Sequence, residues 1–158
     1  MDTSQDIMLG LLSEGGRERI KADVAVATDY IRARYLPWKD CRLADLEAWL
    51  TWHWIQGLVG AVSDVRSGDL AAVVVVRFLD ELDEFETVYR HSPNGKICWV
   101  ELAVSESQAA FRAAVSVLRL LHEAPECLAF KRDGRRGKPR LYSWKNISSK
   151  WESIHGKF

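Results

Sequence analysis

Three cysteines, four prolines and two methionines are all that 158 residues hold of these types. Cys41, Cys98 and Cys127 are odd in number and far apart, so no disulfide framework is indicated. No CxxC or Cys/His spacing of the zinc-holding kind occurs, and no metal is expected. The reading is three reduced, buried thiols and a cytoplasmic protein. The early apolar stretch Ile7–Leu12 is broken by Gly10 and is far short of the roughly 20 residues that span a bilayer. It follows Asp2 and Asp6, where a secretory signal carries positive charge, so no targeting or membrane segment is expected. Net charge is absent too. The 22 basic and 22 acidic residues argue against a uniformly basic nucleic-acid coat and against an acidic solvating tail.

What is present is an ordinary globular composition, 47% apolar and 28% charged, on a length suited to one domain. Seven tryptophans point to bulky packing or stacking surfaces. The zero charge hides an asymmetry. Residues 127–158 carry nine Lys/Arg against two Asp/Glu, and the first 126 carry thirteen against twenty.

Residues 1–18 read as a flexible lead-in. Ile20, Val24, Ala27, Ile31 and Tyr35 then recur at helical spacing, which predicts a helix over 19–35, ended by Pro37. A second helix is predicted over 42–56, with Leu43, Leu46, Trp49, Leu50 and His53 on one side and Trp52 and Trp54 widening the apolar arc. Gly57 is its stop. Strands follow at Leu58–Val65 and Leu70–Leu79, joined by the turn cluster Arg66-Ser67-Gly68-Asp69. Four consecutive valines, Val73–Val76, predict a central strand covered on both faces. Five acids lie within Asp80–Glu86, without the spacing or glycine of a calcium loop. After the turn Ser92–Gly95, Ile97–Val104 is a third long strand. A helix is expected to open at Ser105, capped by that serine with Gln108 answering it, and to bury Phe111, Ala114, Val115, Leu118, Leu121 and His122. Short strands at Leu128–Lys131 and Arg140–Trp144 flank a basic turn, and 146–158 is a polar tail. The expected fold is α+β, a mostly antiparallel sheet with flanking helices in one domain over 19–145. The helix from Ser105 crosses between two strands that can run parallel.

This order resembles the GNAT fold of the acyl-CoA N-acyltransferases, over roughly residues 20–144. In that family a strand end corresponding to Leu102-Ala103-Val104 runs into a loop of pattern Q/R-x-x-G-x-G/A, whose amides hold the coenzyme A pyrophosphate. Free donors at a helix start and the positive end of its dipole explain the choice. The matching stretch is Gln108-Ala109-Ala110-Phe111-Arg112-Ala113, with Phe111 in place of the first glycine. The motif is therefore degenerate. The resemblance implies acyl transfer from acetyl-CoA or another acyl-CoA to an amine. Val104, Gln108, Ala110, Arg112 and Ala113 would contact the cofactor. The altered loop and small size would also suit a phage accessory, structural or assembly protein. Trp38, Trp52, Trp54 and Trp151 would then lie in an interface.

Glu101, mid-strand among apolar residues, would serve as general base if burial raises its pKa. The alternatives are a glutamate on a wet strand face, or one paired with Arg77. Tyr142 would be the acid from the last strand, against a packing role beside Leu141 and Trp144. His53 and His122 read as core or rim histidines, and no serine has His/Asp partners at triad spacing. The basic segment 131–145 is the other candidate. Lys131, Arg132, Arg135, Arg136, Lys138, Arg140 and Lys145 are interleaved with Phe130, Tyr142 and Trp144. Such a pattern grips phosphates and stacks bases, so nucleic acid or an acidic protein is the expected partner of a non-catalytic binding module.

Overall fold

The computed structural model describes residues 14–81, 89–122, 127–130 and 140–143, the last two as backbone. Among these residues the elements follow in the order α1 (Glu14–Arg34), α2 (Leu43–Ile55), β1 (Val59–Ser63), β2 (Leu70–Leu79), β3 (Ile97–Ser105), α3 (Gln108–Leu121), β4 (Cys127–Phe130) and β5 (Arg140–Ser143). A 3-10 turn, Leu36–Trp38, holds Pro37 between α1 and α2. The sheet order is β1-β2-β3-β4-β5. β1 and β2 are antiparallel, as are β4 and β5. β2 and β3 also run opposite ways, since Arg77 meets Glu101 while the Glu106 N–H donates to the Ala71 carbonyl. β3 and β4 are parallel. The α+β class and the parallel crossover through α3 thus stand as the sequence suggests.

The chain divides into two compact parts. One holds residues up to Val75 with Ala103–Leu121, and the other Val76–Leu102 with residues from His122 onward. In the first, α1 packs on α2 and α3 packs on β1. Ile20, Val24, Ala27 and Ile31 are buried along one stripe of α1, and Leu46, Leu50 and His53 along one of α2. Burying each large aliphatic side chain contributes about 1.5–3 kcal/mol. Two polar groups are buried with them and are satisfied locally. Thr28 Oγ1 donates to the Val24 carbonyl at 2.7 Å, and His53 Nδ1 lies 2.7 Å from the Trp49 carbonyl. Gly57, with φ of 70°, closes α2, and the Leu58 N–H returns to the His53 carbonyl at 2.9 Å. Gly60 is where β1 meets α3: a Cβ there would stand 2.2 Å from the Ala114 carbonyl oxygen.

Val73–Val76 are all fully buried, as a strand covered on both faces requires. The β1–β2 turn is tied by Asp64, whose carboxylate accepts from the Arg66 and Ser67 N–H groups at 2.8 and 3.0 Å. These bonds hold its pKa below the ordinary 3.8. In the second part, Leu79 and Trp99 pack together with Ile97 against them.

Several expectations are corrected. α1 starts at Glu14, inside the stretch read as a lead-in, because Gly15 and Gly16 lower helix propensity without stopping the helix. Trp52 is 40% exposed, since the buried arc of α2 is narrower than its apolar one. Cys41 is exposed in the connection before α2, whereas Cys98 is buried as expected. Ser105 belongs to β3, so the α3 cap moves to Ser107. Leu121 is 44% exposed at the last residue of α3, off the stripe Phe111, Ala114, Val115 and Leu118. The tail 146–158 lies outside the described residues.

Candidate functional site

Strand pairing brings Glu101 of β3 opposite Arg77 of β2. Arg77 follows the valine run with a side chain 1% exposed, and Glu101 is 16% exposed. A buried guanidinium needs acceptors for its fork of donors. The Arg77 Nε donates to Glu101 Oε1, and Nη1 donates to the Arg90 carbonyl at 3.1 Å. The Tyr89 ring covers the same guanidinium, 4.4 Å from ring centroid to Cζ. Burial raises the Glu101 pKa above its ordinary 4.5, and Arg77 only partly reverses that shift. The raised value is what a general base needs. The ion pair works against it, because Arg77 stabilises the charged carboxylate through Oε1 and so makes it a weaker base.

The five residues expected at the cofactor sit where β3 ends and α3 begins. Val104 is buried, Gln108, Ala110 and Arg112 are half-buried, and Ala113 is exposed. The stretch 108–113 is not a loop but the opening turns of α3. Ser107 caps it: its Oγ accepts from the Ala110 N–H at 3.1 Å, and its carbonyl from the Phe111 N–H at 3.1 Å. Phe111, at the family's glycine position, is 8% exposed and belongs to the core. In the same turn the Glu106 carboxylate is ion-paired to Arg34 of α1, whose guanidinium lies 4.1 Å over the Tyr30 ring. Neither an acidic side chain nor a core phenylalanine supplies the small, donor-rich surface that a phosphate takes at a helix start.

Arg140 and Tyr142 are placed on β5 by register, Tyr142 opposite Leu128. Lys131, Arg132, Arg135, Arg136, Lys138 and Lys145 lie outside the described residues, as do most of the Asp80–Glu86 run and Trp151. Trp38 and Trp54 are half-buried. Tyr35, Trp38, Trp49 and His53 form a chain of ring contacts with centroids 5.5, 5.0 and 4.3 Å apart, so Trp38 serves packing within this chain. His122 packs on Phe78, 4.8 Å between centroids. Its neighbour on Phe78, His91, was not singled out by sequence. A lone histidine between an acidic run and a Ser-Pro turn carries no periodic signal.

Among the described residues no group of three His, Cys, Asp or Glu is placed to hold a metal, and no helix is long and apolar enough to cross a membrane. Compared with known proteins, the chain matches no family model, no curated protein and no solved structure.

Proposed function

We propose that this chain is a polyanion-binding module on an acetyltransferase-like order of elements, with the basic segment 131–145 as its contact. The observation that carries the non-catalytic reading is the start of α3. There Ser107 takes an amide that a pyrophosphate would use, Phe111 is committed to the core, and the Glu106 carboxylate of the same turn is engaged by Arg34. The binding side rests on charge: seven basic residues and one acid within 131–145, interleaved with aromatics.

Acyl transfer is the second reading, favoured by one observation. β3 and β4 run parallel and are joined through the crossover helix α3. A parallel pair joined in this way is also part of the family that the chain resembles. Glu101 would then be the base and Tyr142 the acid.

Two titrations separate the readings. Calorimetry with acetyl-CoA at millimolar concentration is expected to give no heat of binding; a saturable heat overturns the first reading in favour of the second. Duplex DNA and polyglutamate, titrated at several salt concentrations, test the contact. Binding should weaken with salt, and on DNA each lost phosphate contact reduces the log–log slope by about 0.9. Arg135→Ala/Arg136→Ala should lower both slope and affinity; unchanged values place the contact elsewhere. Preference for DNA over polyglutamate identifies nucleic acid as the polyanion.

A further inference from the structure

The amide of Phe78 is held by a side chain where a strand would be expected. β1 pairs with β2 only as far as Val75, so the backbone groups of Phe78 lie beyond that ladder. Residues 89–92 supply the missing partners. The Phe78 N–H donates to His91 Nδ1 at 2.9 Å, and the Ser92 N–H donates to the Phe78 carbonyl at 2.8 Å. Ser92 Oγ donates to the Asp80 carboxylate at 3.1 Å. On the neighbouring residue of β2, Arg77 reaches the Arg90 carbonyl and lies over Tyr89. Consecutive residues from Tyr89 to Ser92 are thus strapped to the end of β2.

The chemistry of the His91 contact is restrictive. A ring nitrogen accepts from an amide only through its lone pair. His91 is therefore neutral, with its proton on Nε2. Protonation makes both ring nitrogens donors and sets one N–H against another. Phe78 is 2% exposed, so its amide then has no acceptor in a buried setting. We propose that His91 is a pH-sensitive latch, which fastens residues 89–92 to β2 while its ring is neutral and releases them once the ring is protonated.

Among the described residues, the charged and titratable groups packed here are Arg77 of β2, Asp80 just after it, Glu101 of β3, Tyr89 and Arg90 of the strap, and His122 after α3. The charges of Arg77 and Arg90 oppose a positive charge on the ring, whereas Asp80 favours it. Glu101 is engaged by Arg77. The latched state binds fewer protons than the released one. It is therefore favoured above the usual imidazole range, near pH ~6.5, and lost as pH falls through that range. Release removes two of the groups around the Arg77 guanidinium, the Tyr89 ring and the Arg90 carbonyl. The latch accordingly governs how well the Arg77–Glu101 pair is sealed, whichever functional reading of Glu101 holds.

Amide hydrogen exchange of Phe78, corrected for intrinsic rate and followed by NMR, reads the latch directly. In the native sequence its protection should fall at least about tenfold between roughly pH 7.5 and pH 5, while that of Val74 within the β1–β2 ladder holds. His91→Asn places an amide oxygen near Nδ1 that accepts without titrating, so the pH dependence should vanish and protection persist. His91→Ala should lack the protection at both pH values. Parallel loss in the native chain and in His91→Asn, or no change in either, overturns the proposal. Should His91→Asn not fold, the nitrogen shifts of the native ring decide. An unprotonated Nδ1 at pH ~7.5 is required, and an Nδ1–H there refutes the latch.

Discussion

Arg77 and Glu101 form an ion pair across β2 and β3 with almost no water on the arginine and little on the glutamate. Such a pair is dispensable as a unit but not by halves. Removing one partner leaves the other charge buried and uncompensated, which destabilises by about 3–5 kcal/mol. Arg77→Ala and Glu101→Ala should each show that loss in urea unfolding. The double replacement Arg77→Met/Glu101→Leu should recover most of it. If both single variants unfold like the native chain, the pair is not sealed.

The direction of the Glu101 shift sets a pH signature. Its folded-state pKa lies above the ordinary 4.5, so the folded chain holds this proton more tightly than the unfolded one. That contribution is fully present below about pH 4.5 and is lost as pH rises through the raised value. Glu101→Gln keeps a neutral side chain throughout. Stability of the native chain relative to Glu101→Gln should therefore fall as pH rises from 4.5, then level off. A relative stability that rises over that interval would falsify the assignment of burial as the dominant cause.

Ser107, not Ser105, caps α3. Ser107→Ala should destabilise by about 1 kcal/mol, the usual worth of a cap. Ser105→Ala should stay within about 0.5 kcal/mol, as exposed substitutions away from such features do. Thermal unfolding of the two variants side by side measures the difference, and equal shifts would place the cap elsewhere.

The same serines show how much of this fold the sequence carried. The valine run, the apolar stripe of α1 and the stripe of α3 were legible because periodicity reports burial directly. The choice between Ser105 and Ser107 was not, because both precede an apolar helical pattern and only the reach of β3 decides. Arg77 was legible as a partner for Glu101, yet its near-complete burial was not, since a lone arginine in a strand reads as a wet position. The His91 contact had no signal at all. It depends on β1 ending opposite Val75, which is a property of register.

Two glycines are required by close approach rather than by backbone angle. A Cβ on Gly60 would lie 2.2 Å from the Ala114 oxygen, and one on Gly95 would lie 2.6–2.8 Å from the Leu79 backbone. Neither neighbour is a flexible side chain that can swing away. Gly60→Ala and Gly95→Ala should each destabilise by about 1–3 kcal/mol, the range for overpacking, as read by urea midpoints. Gly15→Ala, with open space at its Cβ, serves as the control and should be neutral or slightly stabilising, because alanine favours the helix.

Tyr30 offers the alkaline counterpart. Its pKa is pushed up to about 12, first by burial and then by the Glu106 carboxylate, with Arg34 pulling the other way. The Glu106 carboxylate favours the neutral phenol both as an acceptor and as a nearby negative charge, in that order. A raised folded-state value means that the fold favours the neutral phenol. The resulting stability is complete below the ordinary 10.0 and is lost as pH climbs from 10.0 toward 12. Tyr30→Phe removes the titrating group and should flatten this alkaline decline. Glu106→Gln should lower the Tyr30 value without abolishing its shift, because burial remains the larger cause. Ultraviolet titration of the phenols, with Tyr30→Phe subtracted, gives both quantities. A Tyr30 that ionises at 10.0 in the folded chain would mean that its hydroxyl reaches water.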